Sequence, residues 1–180
     1  MSQSAPPLRS AEEIEANASF DALLWALSRP GQIRHLPKPG EAALIDALID
    51  RECRVYSADP LLIPQVMRSG AEIADMASAD HVFLATVQDS EVLKSLQLGS
   101  DLYPDEGATV ILRCKLGAGA HLRLSGPGVN GTCDLQVAGL PDGFWQTRAQ
   151  VMRYPTGFEL ILLDGDRLAA LPRSTIVEVL

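Results

Sequence analysis

Two groups of residues carry charge and hydroxyl chemistry in patterns that could hold a ligand. The first is Arg113, Lys115, His121 and Arg123, which flank Gly117-Ala118-Gly119. A three-residue loop there predicts a hairpin whose register sets Cys114 opposite Leu122 and Leu112 opposite Leu124 on an apolar face. The other face then opposes Lys115 to His121 and Arg113 to Arg123. Like charges directly opposite one another are destabilising, so this register calls for solvation, an acidic neighbour in this or a partner chain, or a bound phosphate. The second group is Leu171-Pro172-Arg173-Ser174-Thr175. A guanidinium, two hydroxyls and consecutive N–H groups in a short bend can grip a phosphate or carboxylate. The same bend also reads as a turn whose hydroxyls bond their own backbone.

Other chemistries find no such pattern. Gly126-Pro127-Gly128-Val129-Asn130-Gly131 matches GxGxxG, but Thr132 to Val137 then alternates polar and apolar residues, the period of a strand. A dinucleotide fingerprint needs a helix N-terminus at that point, so a glycine-dense turn is the better reading. The sequence holds no GxxxxGK[ST] loop and no GxSxG elbow. Lys38, Lys94 and Lys115 fall in a turn, on a helix face and in a strand, and none reads as a buried Schiff-base lysine. Cys53, Cys114 and Cys133 form no CxxC, and His35, His81 and His121 form no i,i+4 pair, so no metal site is expected. Asp105-Glu106 and the Asp164/Asp166 pair read as solvated turns. No catalytic residue is assigned.

The elements that must position these residues follow from periodicity. Residues 1–18 are polar and Pro-containing, and a loose N-terminal tail is expected, with 19–180 forming one domain. Phe20, Leu23, Leu24 and Leu27 predict a helix capped by Ser19 and stopped by Pro30-Gly31. Further helices are predicted over 41–50, 61–76, after Asp89 or Ser90, and over 141–152. Strands are predicted at 54–58, 81–87, 108–116, 120–125, 132–137, 158–163, 167–171 and 176–179. Asp164-Gly165 supplies the positive φ values of a tight hairpin turn. The expected fold class is α/β, a mixed sheet covered by helices.

Composition sets the class. The 180 residues are 47% hydrophobic, with 15 Lys plus Arg against 23 Asp plus Glu and a net charge of −8. Most of the acidic excess lies in residues 1–90, net −6, against −2 in 91–180. That balance argues against nucleic-acid binding by bulk counterion release. No run approaches a membrane span of about 18 apolar residues, and MSQSAPPLRS lacks signal-peptide character, so a cytoplasmic protein is expected.

Several blocks then resemble one family. They are Phe20 to Leu27 with Ser28-Arg29-Pro30-Gly31; Gly99-Ser100; Pro104 to Leu112; Leu122 to Val129; Tyr154 to Leu162; and Leu171 to Thr175. Together they resemble the PhnH family, a subunit of the bacterial carbon–phosphorus lyase system. The resemblance implies a fold partly like that of pyridoxal-phosphate-dependent transferases but with no pyridoxal phosphate or other cofactor. It implies a homodimer working with the G, I and J companions, whose core complex makes ribose 1-phosphonate 5-triphosphate from ATP and an alkylphosphonate. The subunit itself would be non-catalytic. The alternative is a transferase subunit that contributes to the ligand site, with Arg173, Ser174, Thr175, Arg123 and Arg113 holding a phosphonate or nucleotide. Asp21 and Ile176 stand where family members often carry basic residues.

Overall fold

The computed structural model describes residues 9–180. Helix α1 (Ala11–Ser28) leads to β1 (Arg34–His35) and α2 (Ala42–Leu48), then β2 (Arg54–Ser57), α3 (Ile63–Ser69), β3 (Glu72–Ile73) and β4 (His81–Ala85). β5 (Thr109–Arg113), β6 (Lys115–Ser125) and β7 (Cys133–Ala138) precede α4 (Phe144–Val151). β8 (Glu159–Asp164), β9 (Arg167–Leu171) and β10 (Ile176–Val179) complete the described chain. These strands form a seven-stranded mixed sheet, in the order β1-β9-β8-β5-β4-β2-β3, and a three-stranded antiparallel sheet, β10-β6-β7. The expected α/β class is observed, with a second sheet that the pattern of elements did not separate.

The central strands β2, β4, β5 and β8 run parallel. Parallel strands covered on both faces need unbroken apolar runs, and Val110-Ile111-Leu112 and Leu160 to Leu163 supply them. Alternation along each strand then feeds two cores. Val82, Leu84, Val110, Leu112, Leu160 and Leu162 pack with Leu122, Leu124 and Leu135 of the small sheet and Phe144 of α4. Phe83, Ile111, Ile161 and Leu163 pack on the other side with Leu23, Leu44, Ile45 and Val66 from α1, α2 and α3. Each fully buried side chain of this size contributes about 1.5–3 kcal/mol. Among the described residues, no helix is long and apolar enough to cross a membrane.

Two expectations are corrected here. α1 starts at Ala11, well before Ser19, because Ser10 and Glu13 form a reciprocal capping box. Ser19 lies buried inside the helix and donates to the Glu15 carbonyl at 2.9 Å. The expected tail is therefore helical from residue 11, and residues 1–8 lie outside the described residues. The second correction concerns the hairpin at Gly117-Ala118-Gly119. β5 pairs with β4 and β8, whereas β6 pairs with β7 and β10, so Arg113 and Arg123 never oppose each other. The chain changes sheets at Cys114. The three residues instead form a bulge inside β6, with Leu116 and Ala120 both facing Val137. The apolar face of β5 is better buried between two parallel strands than against its neighbour in sequence.

Smaller differences follow local punctuation. The helix expected through Met76 stops at Gly70, whose φ of 87° closes it. The helix expected after Asp89 is the 3-10 turn Ser90–Ser95, capped by the Asp89 carboxylate. The hairpin expected at Asp164-Gly165 forms one residue later: Asp164 pairs with Arg167 at the end of β8, the loop is Gly165-Asp166, and Gly165 carries the positive φ of 64°. GPGVNG is a turn that leads into β7.

Asp164 ties these parts together. Its carboxylate accepts from Lys115 Nζ at 2.9 Å, from the Leu116 N–H at 3.2 Å, and from Arg167. The Lys115 bond is the largest influence holding its pKa down at about 2. A carboxyl whose folded pKa lies below its unfolded value contributes stability above the unfolded value, and that contribution is lost as pH falls through the folded one. Asp164→Asn should therefore lower the urea midpoint by a constant amount above about pH 5. The difference from wild type should shrink below pH 4, be mostly gone at pH 2, where the folded carboxyl is half protonated, and vanish at about pH 1. A gap at pH 2 as large as that at pH 5 would mean the pairing is not what Asp164 contributes.

Candidate functional site

A cavity of about 540 Å³ lies between α4 and residues 173–177. Arg173, Ser174 and Thr175 line it together, facing Trp145, Arg148 and Ala149 of α4, with Met152 and Tyr154 near one end. Phe144 and Trp145 meet edge to face, their centroids 5.1 Å apart, and Thr147 donates to Ser90 Oγ at 3.1 Å. These contacts fix α4 against the core, so Arg148 projects from a rigid element.

Arg148 is 3% exposed and its guanidinium clamps the bend. Nη1 donates to the Thr175 carbonyl at 3.2 Å and Nη2 to the Pro172 carbonyl at 3.1 Å. No carboxylate among the described residues bonds it, and Nε has no partner. Burial pulls its pKa down to about 10. Thr175 is equally buried, with Oγ1 also unpartnered.

Arg173 is held differently. Its N–H donates to Glu159 Oε2 at 2.8 Å, its Nε to Glu159 Oε1, and its Nη1 to the Pro104 carbonyl. Its fork is already used inside the chain, so any anion at this bend must compete with Glu159.

The other two arginines lie elsewhere. Arg113 lies at the carboxyl end of β5 beside a second cavity of about 490 Å³, with Thr86, Lys115 and Asp164 on the same wall. Open parallel sheets hold ligands beyond these strand ends. Here, however, the charges are matched internally. Arg113 Nη2 bonds Asp59 at 2.6 Å and its Nε bonds the buried Glu41. The Arg113 bond is the largest cause of a lowered Asp59 pKa. Arg123 is on the small sheet, where Asp134 of β7 takes its Nε at 3.7 Å and His121 Nε2 at 3.3 Å. For both arginines an acidic neighbour within the chain supplies the compensation that the opposed pair required.

The structure thus brings Arg173, Ser174 and Thr175 to one cavity and leaves Arg113 and Arg123 in two other places. The arrangement can hold an apolar group with a negative end. It offers no nucleophile with an adjacent base among the described residues. Burial pushes the Cys114 thiol up to about 12, far from a reactive thiolate. Lys38, Lys94 and Lys115 are paired at the surface with Glu15, Glu91 and Asp164. Sequence reasoning missed Arg148 and Glu159. Arg148 could have been found, because with Phe144 and Thr147 it falls at i, i+3, i+4 on the buried side of α4.

Comparison with known proteins matches the sheets, α4 and the bend as one unit. The family model for a bacterial phosphonate metabolism protein (PhnH) matches residues 10–178. A putative C-P lyase subunit protein, HtxG, of Stutzerimonas stutzeri is 35% identical over 170 residues, covering 89% of this chain and 85% of that protein. The alpha-D-ribose 1-methylphosphonate 5-triphosphate synthase subunit PhnH of Rhizobium meliloti (strain 1021) is 28% identical over 185 residues, covering 91% and 90%. With the family model running from the start of α1 into β10, this chain belongs to the PhnH family of bacterial phosphonate metabolism proteins.

Proposed function

We propose that this chain is a non-catalytic, cytoplasmic subunit of the carbon–phosphorus lyase core complex. In it the chain pairs as a homodimer and docks on the G, I and J companions. The complex converts ATP and an alkylphosphonate to a ribose 1-phosphonate 5-triphosphate. The observation that carries this reading is the internal use of the chain's cations: Arg113, Arg148, Arg167 and Arg173 all bond groups of this same chain. The names of both relatives, a C-P lyase subunit and a synthase subunit, support it. A parallel sheet centre with an antiparallel margin fits a partial likeness to pyridoxal-phosphate-dependent transferases. The surface pairing of all three lysines fits a version of that fold without the Schiff base. Co-expression with the three companions should yield one co-eluting complex on size exclusion. An active core complex that assembles without this chain overturns the reading.

A second reading has the Arg173-Ser174-Thr175 cavity hold a phosphonate or nucleotide, with Arg123 or Arg113 assisting. The cavity and its unpartnered buried polar atoms favour it. Calorimetry with ATP and methylphosphonate, on wild type and Arg173→Ala, decides it. No heat at millimolar ligand, about −4 kcal/mol, ends this reading.

A further inference from the structure

β10 is an edge strand, with β6 on one side and no described strand on the other. The Leu180 N–H donates to the His121 carbonyl at 2.9 Å, and the register sets Glu178 against Arg123 and Ile176 against Ser125. In an antiparallel ladder alternate residues bond the same neighbour. The N–H and C=O groups of Val177 and Val179 therefore face the open edge. Soluble proteins blunt such edges with proline, lysine, bulges or a covering element. β10 reads Ile-Val-Glu-Val and carries none of the first three, and Ile176 and Val179 are 64% and 45% exposed.

The cavity described above runs beside this strand. Ser174 and Thr175 of the bend line it, and so do Ile176 and Val177, although these two successive strand residues point their side chains to opposite faces. A groove that both of them line follows the edge of the strand rather than either face. Its opposite wall is α4, through Trp145, Arg148 and Ala149. At the bend end lies Arg148, buried and bonded only to carbonyls. A buried guanidinium with no bonded carboxylate is costly, and a carboxylate brought by an occupant would offset that cost.

We propose that the open edge of β10 and the groove beside α4 receive an extended segment of a partner polypeptide. That segment is apolar in the side chains entering the groove and carries a carboxylate toward Arg148. The edge supplies main-chain bonds, and the groove selects side chains. The inference rests on the reading of this chain as an assembly subunit and names the surface that such a subunit would use.

The test is an array of ten-residue peptides tiling the G, I and J chains, probed with the full chain as wild type, Val177→Pro and Ala149→Trp. Val177→Pro removes an N–H that β6 does not use, and Ala149→Trp fills the groove from an exposed helix position. Wild type should retain peptides that are apolar and acidic, and each variant should lose at least about tenfold in affinity. Bound peptide should slow hydrogen exchange at Val177 and Val179 and leave Leu180 unchanged. Should Val177→Pro fail to fold, Ala149→Trp alone still decides between groove binding and none. No retained peptide, or equal retention by a folded variant, overturns the inference. So does protection of those amides that grows with concentration in the isolated chain, which would assign the edge to a second copy. Failure of the intact companions to co-elute with wild type is a separate result and bears on the proposed function.

Discussion

Gly107→Ala should destabilise the protein by about 3 kcal/mol, the upper end of the usual cost of overpacking, and lower its thermal midpoint by roughly 6–12 °C. Backbone freedom is not the reason, since Gly107 has a φ of −65°, open to any residue. The reason is contact. A Cβ on Gly107 would stand 2.1 Å from the Gly157 carbonyl oxygen, with the Leu98 carbonyl and Arg173 Nη1 each at 3.2 Å. Gly157 cannot retreat easily, because its N–H donates to the Leu98 carbonyl at 2.8 Å and Met152 crowds it, with Sδ only 2.5 Å from where a Cβ would stand. Two backbones would have to separate, and the Leu98–Gly107 bridge with them. Gly165→Asn is the control. Its φ of 64° is one that Asn tolerates and nothing lies within 4 Å, so a loss under about 1 kcal/mol is expected. Thermal unfolding of the two variants measures the contrast, and a Gly107→Ala protein as stable as wild type would mean that the close approach is not required.

That junction explains why the blocks that resembled one family are so dispersed in sequence. Pro104 to Gly107 meets Gly157 and Arg173. Gly126 meets the Ser174 carbonyl, where a Cβ would stand at 2.8 Å, and Gly128 meets the Ser28 carbonyl, where it would stand at 2.4 Å. Five separate segments converge through backbone contacts that glycine alone permits. What reads as a set of motifs is largely a packing requirement, which fits a chain whose chemistry-bearing residues bond one another.

Legibility followed the range of each interaction. The short apolar runs at β4, β5 and β8 and the Asp-Gly hairpin are local signals, and each element stands where the pattern put it, with the hairpin loop one residue on. Ser10-x-x-Glu13 is a local signal too, and it outranks the weaker cap at Ser19. The sheet change at Cys114 was not legible. It depends on whether β5 buries more area against β4 and β8 than against β6, which no window of neighbouring residues contains. For the same reason the neighbours of Arg113 were hidden: Glu41 and Asp59 lie 72 and 54 residues away in sequence. The partner of Arg173 was closer to hand. A turn at Asp164-Gly165 would pair Leu160 with Ala169; the observed loop is Gly165-Asp166, one residue later, and this shift pairs Leu160 with Leu171 and brings Glu159 to the start of the bend.

Glu159→Ala should therefore cost about 3 kcal/mol, the lower end of the range for breaking a buried ion pair. The two side chains are only 15% and 22% exposed. Removing the carboxylate orphans two donors of Arg173 at once, its backbone N–H and its Nε, while Nη1 stays on the Pro104 carbonyl. Glu159→Gln separates charge from geometry. Its amide oxygen can still accept one of the two bonds, so a loss of about 1–2 kcal/mol is expected, the difference between charged and neutral acceptors. The double variant Glu159→Ala, Arg173→Met should recover part of the loss, since removing both ends leaves no buried charge unpaired while the backbone N–H at 173 still lacks its acceptor. The bend would then rest on its own Thr175 N–H to Pro172 carbonyl bond and on Arg148, through the Pro172 and Thr175 carbonyls. Urea unfolding of the three variants tests this. If the double variant is less stable than Glu159→Ala, Arg173 supports the fold through its contact with the Pro104 loop more than through its charge.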